Sequence, residues 1–272
     1  MLQDIPKSVD IEFDPAPAQD NDTVLCFDGR TVLSRIQDNK AVLPKLSQLD
    51  SSCKLVFAFK ADGIRYFLCL EKATADGFSF EPLGSFRYVT ADTDQYAIIT
   101  GYHYYCFHSE NKFCAKCGAK LVHAPQKRCM TCTGCGKEVY PTIAPAIILG
   151  IIDEDTDSIL LTRYAGREYK KYALVAGFIE MGESAEMAAK REAMEETGLD
   201  IEDIEFFGTQ PWGMAQNLLI GYFAKVRGSR EIHRDTEELS EALWVKREDV
   251  PAQPGGASLT SEMMWAFRSS QR

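Results

Sequence analysis

Three glutamates, Glu192, Glu195 and Glu196, stand at i, i+3 and i+4 in the segment Ser184 to Thr197, which reads SAEMAAKREAMEET. Its Ala, Met, Glu, Lys and Arg content predicts a helix, with Ser184 to cap the start and Gly198 to close the end. On a helix this spacing puts all three carboxylates on one face. Like charges so close repel, and a divalent cation offsets that cost. Hard carboxylate oxygens suit Mg²⁺ or Mn²⁺. Such ions clamp phosphate oxygens and make hydroxide at neutral pH, which is what water needs to attack a diphosphate shielded by its own charge. A solvated acidic helix face would account for the glutamates alone. It would not account for Gly177 and Gly182 ahead of the helix, or for Arg191 within it.

A second constellation lies upstream. Five of the nine cysteines fall between Cys114 and Cys135, and such clustering in an intracellular chain points to metal rather than disulfides. Cys114-Ala-Lys-Cys117-Gly and Cys132-Thr-Gly-Cys135-Gly form two knuckles, each followed by a glycine that relieves a tight turn. Four thiolates make a closed structural Zn²⁺ site with no open position for water. Cys129 also forms C-x2-C with Cys132, so Cys129 and Cys132 are an alternative second pair. Cys132 and Cys135 are preferred, because Cys135 is followed by glycine as Cys117 is. Cys26, Cys53, Cys69 and Cys106 sit in mostly apolar settings and are read as small buried thiols. His103, His108, His123 and His233 fit no ligand pattern and are read as surface or packing residues.

The elements that must position these groups follow from patterning. Before the cysteines, TVLCFDGRTVL and LVFAFKADGIRYFLCL each place apolar runs around Asp-Gly, at Asp28-Gly29 and Asp62-Gly63, and predict β-hairpins. After them, IAPAIILGIIDEDTDSILLTRY predicts two strands and a polar turn. KYALVAGFIEMGE leads into the glutamate helix, and IEFFGTQPW, LLIGYFAKV and EALWVK predict further strands. A last helix is expected over Ser258 to Arg268, with Leu259, Met263, Met264 and Phe267 on one face. The expected organisation is a strand-rich domain over 1–110, a zinc ribbon over 111–139 and an α/β/α sandwich over 140–272, a mixed α+β and α/β fold class. A net charge of −10 disfavours broad electrostatic binding to nucleic acid or anionic membranes. The acidic N-terminus does not resemble a signal peptide, and the apolar run near Thr142 to Ile152 is too short to span a bilayer, so a cytoplasmic protein is expected.

The segment Gly177 to Leu199 fits G-x5-E-x7-R-E-U-x-E-E-x-G-U at every fixed position, with Ala193 where a larger aliphatic residue is usual. That pattern resembles the Nudix box. A zinc ribbon ahead of the box and Gln210-Pro211-Trp212 behind it resemble the NADH pyrophosphatase (NAD⁺ diphosphatase) family of Nudix hydrolases, strongly over about residues 100–270. The resemblance implies hydrolysis of NADH or NAD⁺ to nicotinamide mononucleotide and AMP, and possible removal of NAD caps from RNA. It implies that Glu183 and Arg191 pair to hold the loop against the helix. Glu192, Glu196 and Glu238 would hold the catalytic Mg²⁺ or Mn²⁺, with Glu195 as a further ligand or the base; Glu237 and Glu241 are rivals of Glu238. Tyr140 and Phe178 would sandwich adenine, Ala176 would meet substrate through its backbone, and Gln210, Pro211, Trp212 and Thr260 would contact it. The tyrosine comes from the partner subunit in that family, so a homodimer is implied. This chain departs from the family's S-Q-P-W-P-F-P-x-S at Gly213 to Asn217, GMAQN, where the nicotinamide side is expected. An ADP-ribose or other nucleoside diphosphate pyrophosphatase is therefore the alternative enzyme. A zinc-ribbon module that binds RNA through Lys112, Lys116, Lys120, Lys127 and Arg128 is the alternative of another class.

Overall fold

The computed structural model describes residues 1–50, 53–166, 171–252 and 258–269. They fall into two compact units: one gathers Met1–Leu2, Ala144–Pro211 and Asn217–Arg272, the other Gln3–Ile143 and Trp212–Gln216.

The second unit opens with β1 (Val9–Asp10), β2 (Thr23–Asp28), β3 (Thr31–Gln37), β4 (Lys40–Val42), β5 (Leu55–Ala61), β6 (Ile64–Cys69) and β7 (Ser79–Pro82), which join in one sheet. Both Asp-Gly hairpins form: β2 pairs β3 with Asp28 opposite Thr31, and β5 pairs β6 with Ala61 opposite Ile64. Gly29 and Gly63 take the positive φ angles such turns require, 56° and 77°. The strand-rich reading of this region omits one element, α1 (Thr93–Glu110), an 18-residue helix. Asp92 caps it by accepting from the Gln95 N–H at 2.8 Å. Residues on nearly every side of α1 are buried, among them Tyr96, Ile98, Ile99, Tyr102 and Phe107. Its sequence therefore shows no amphipathic stripe. The ribbon follows as β8 (Leu121–His123), β9 (Met130–Cys132) and β10 (Glu138–Val139), a small antiparallel sheet in the order β10-β9-β8.

The first unit is built on a mixed sheet of β11 (Ala144–Asp153), β12 (Ser158–Tyr164), β13 (Val175–Phe178), β14 (Asp200–Trp212), β15 (Asn217–Arg227) and β16 (Leu239–Lys246), ordered β14-β15-β11-β12-β16 with β13 beside β11. The central strand β11 runs parallel to β15 and antiparallel to β12 and β13. Its alternating side chains feed two cores. Ile147, Leu149 and Ile151 pack with Ala188, Ala189 and Ala193 of α2 (Ala185–Thr197). Ile148 packs with Leu259, Met263, Met264 and Phe267 of α3 (Leu259–Arg268), the apolar face expected of that helix. A sheet between two helices is the α/β/α sandwich read from the sequence. Among the described residues no helix is long and apolar enough to cross a membrane.

Candidate active site

The glutamate helix is fixed at both ends by the residues expected to do so. The Ser184 hydroxyl accepts the Met187 N–H at 3.3 Å, and Gly198 closes the helix at φ 71° in the left-handed region. The small residues Ala188, Ala189 and Ala193 are fully buried where α2 packs on the sheet. The three carboxylates meet different surroundings: Glu192 is 8% exposed and Glu196 2%, whereas the Glu195 side chain is 58% exposed.

Arg191 organises the loop before the helix. Its guanidinium makes a two-pronged contact with Glu183, Nε to Oε1 and Nη2 to Oε2, both at 2.9 Å. Nη2 also donates to the Phe178 carbonyl at 2.9 Å, and Nη1 to Glu192 at 2.7 Å and Glu195 at 2.9 Å. Glu183 in turn accepts the Glu180 N–H at 3.0 Å. Ionic bonds to Arg191 hold the Glu183 carboxyl below its ordinary range.

Gly177 of β13 is required by close approach. A Cβ there would lie 1.9 Å from Glu192 Oε1, so the missing side chain is the space in which that carboxylate sits. Burial raises the Glu192 pKa against the opposing pull of Arg191, and the charges of Glu195 and Glu238 raise it further. Glu238 thus acts electrostatically on Glu192 although it lies between strands, after Arg227 and before Leu239. Of its rivals, Glu241 is paired with Arg163 at 3.2 Å, and Glu237, exposed as Glu238 also is, has its N–H on Asp235. Glu192 and Glu196, both nearly buried, offer hard carboxylate oxygens of the kind that suits a divalent cation. Among the described residues only four cysteines of the other unit have their ligand atoms already gathered together.

In the other unit the sulfurs of Cys114, Cys117, Cys132 and Cys135 all lie within 4.8 Å of one another, and Cys129 is buried outside that group. Cys114 to Cys135 is 3.8 Å and Cys117 to Cys132 is 3.4 Å. A tetrahedron with Zn–S bonds of ~2.3 Å has edges of about 3.8 Å, so the thiols fit that ion. Backbone N–H groups of Cys135 and Gly134 point at Cys132 Sγ, each at 3.4 Å. Led by the Cys135 N–H and opposed by burial, they bring that thiol down to about 6. Gly118 and Gly136, after the two knuckles, have φ 73° and 70°.

Comparison with known proteins identifies the domain: the NUDIX domain profile matches residues 142–264. Those residues are a Nudix domain. Similar curated proteins include the NAD-capped RNA hydrolase NudC of Photobacterium profundum, 38% identical over 140 residues, covering 52% of this chain and 52% of that one. The protein of the same name from Salmonella typhi is 38% identical over 148 residues, covering 54% and 56%. Nudix hydrolase 19, chloroplastic, of Arabidopsis thaliana is 37% identical over 151 residues, covering 53% of this chain and 34% of its own. The chain thus spans about half the length of the NudC relatives that it matches.

The other expected contact residues are placed as follows. In the Nudix domain Phe178 ends β13 with 55% of its surface exposed, and Ala176 pairs with Ile148 in the sheet. Gln210 is fully buried, and its side-chain carbonyl accepts the Leu259 N–H at 2.6 Å, in the first turn of α3 that also carries Thr260. That bond ties the Q-P-W segment to the helix, a structural duty that the sequence did not signal. Pro211 is exposed. Trp212 clusters with the other unit, where the Arg87 guanidinium lies 5.1 Å from its ring centroid. Tyr140, in that same unit, is 52% exposed and donates its hydroxyl to Glu138 at 2.6 Å.

Proposed function

We propose that this protein hydrolyses the diphosphate bond of a dinucleotide, converting NADH or NAD⁺ and water to nicotinamide mononucleotide and AMP, and that it acts likewise on NAD at the 5′ end of RNA. The observation that carries the reading is the pocketed Glu192 carboxylate, seated where Gly177 lacks a side chain and bound by the same Arg191 that holds Glu183 and Glu195. Glu192, Glu195, Glu196 and Glu238 would hold Mg²⁺ or Mn²⁺. When bound, the ions supply charge neutralisation of the diphosphate and an activated water. The chain's own residues do the rest. Arg191 fixes the loop 178–183 to the helix, so that the exposed Phe178 ring is offered as a flat surface for a base. Tyr140 would give the second face of that stack from the partner in a homodimer. Zinc on the four cysteines would have a structural role, since all four positions are taken by thiolate. The names of the NudC relatives support NAD-capped RNA as a substrate class.

Purified protein incubated separately with NADH, NAD⁺, ADP-ribose and NAD-capped RNA, with Mn²⁺ or with chelator, tests the reading. Metal-dependent release of AMP with reduced nicotinamide mononucleotide from NADH is expected. Faster cleavage of ADP-ribose than of NADH would move the substrate to nucleoside diphosphate derivatives and attribute the change to GMAQN at Gly213 to Asn217. Absence of cleavage of every one of them would overturn the proposal.

A further inference from the structure

Glu238 is carried on the connection between β15 and β16, and a connection by itself does not hold a ligand in place. This one is braced. The His233 N–H donates to the Thr197 carbonyl at 2.8 Å and the Asp235 N–H to the Glu196 carbonyl at 2.9 Å, both at the end of the glutamate helix. The Glu238 carbonyl accepts the Ala165 N–H at 2.8 Å, just beyond β12, and the Leu239 N–H donates to the Asp235 carbonyl at 3.0 Å. The Asp235 side chain takes the Glu237 N–H at 2.8 Å. Across this turn lies Arg234, whose Nη1 donates to the Leu239 carbonyl at 2.9 Å and also to the Ser240 carbonyl. The residue between the helix anchors at 233 and 235 is therefore bonded to the backbone on the far side of Glu238. The turn is closed at both ends around that glutamate.

We infer that Arg234 is a positioning residue for Glu238: by clasping the carbonyls of Leu239 and Ser240 it fixes the turn that presents the Glu238 carboxylate to the helix carboxylates. In this role Arg234 acts through the turn's backbone, at the Leu239 and Ser240 carbonyls, rather than as a ligand. Its effect is to make Glu238 a pre-placed ligand rather than one that must be ordered when the cation arrives. The inference rests on the reading of Glu238 as a ligand of the catalytic cation. Partners that orient a metal ligand are worth about 10- to 100-fold in metal affinity when removed.

The test is Mn²⁺ binding to the full chain, followed by the loss of the free-ion electron paramagnetic resonance signal, with turnover measured across a Mn²⁺ titration. Glu238→Gln, Arg234→Gln and Arg234→Lys are compared with the unaltered protein, and circular dichroism confirms that each is folded. Arg234→Gln is expected to weaken Mn²⁺ binding about tenfold and to raise the Mn²⁺ needed for half-maximal turnover to match. Turnover at saturating Mn²⁺ should change little, and Arg234→Lys should recover part of the loss because it keeps one charged donor. If Arg234→Gln fails to fold, Asp235→Ala, which releases the Glu237 N–H of the same turn, must show the same split. Unchanged Mn²⁺ binding in Arg234→Gln, beside weakened binding in Glu238→Gln, would overturn the positioning role alone. Unchanged binding in Glu238→Gln would remove the ligand assignment, and the inference with it.

Discussion

At the scale of single residues, the site depends on one missing side chain. Gly177→Ala would bring a methyl to within 1.9 Å of a Glu192 oxygen, and the atom that must yield is the end of a side chain rather than backbone. The fold can relax around it, but the carboxylate cannot stay. Turnover is expected to fall about 100-fold while the thermal midpoint changes by no more than about 5 °C, a pairing that steady-state assays and a thermal melt would check. An equal collapse of both would mean that Gly177 serves the fold. Glu196→Gln keeps the shape and removes the charge, so a folded, zinc-loaded protein with activity lowered by at least 10²-fold is expected. Half-retained activity would remove Glu196 from the metal set. The sequence exposed these positions because motif residues carry local chemistry. It did not expose what Gln210 does: its bond to the Leu259 N–H joins positions 49 residues apart, and only the folded chain brings them together.

Elements were legible where their signals are local. The cap at Ser184, the stop at Gly198 and the two Asp-Gly turns each need only a few neighbouring residues, and all formed. Cys135 belongs to the group of four close sulfurs and Cys129 does not, in keeping with the glycine that follows Cys135 and takes φ 70°. Helix α1 was invisible because burial around nearly its whole circumference erases the polar stripe that would announce it, and Tyr, Ile and Phe are as much at home in strands. The same helix carries a titration test. Burial, with help from the charges of His123 and Lys54, takes His108 down to about 4 from its ordinary 6.5. Between those values the unfolded chain binds the proton and the folded chain does not. Stability is therefore full above about pH 6.5 and is lost as pH falls toward about 4, by roughly 2 to 3 kcal/mol. Denaturant titrations across that range should show the slope flattened in His108→Phe. An identical slope in the variant would place the titration elsewhere.

For the whole molecule, the proposed dimer makes a prediction that a monomer cannot meet. If Tyr140 serves the partner's site, Tyr140→Ala and Glu196→Gln proteins should each be weakly active, and activity should return when the two are unfolded together and refolded. Random pairing gives mixed dimers in half the population, each with one complete site, so recovery to about a quarter of the unaltered activity is expected. No recovery would mean that Tyr140 acts within its own chain or not at all. The division into units also bears on how the protein is made. Trp212 to Gln216 belong with residues 3–143, and a Cβ on Gly213 would fall 2.0 Å from the Ile99 carbonyl, so this short piece is seated against α1. During synthesis that seat stays empty while roughly 70 further residues are added, several seconds at about 5–20 residues per second. A nascent chain arrested before residue 216 therefore displays a bare stretch of α1, and the finishing of the N-terminal half waits on a segment encoded deep in the second.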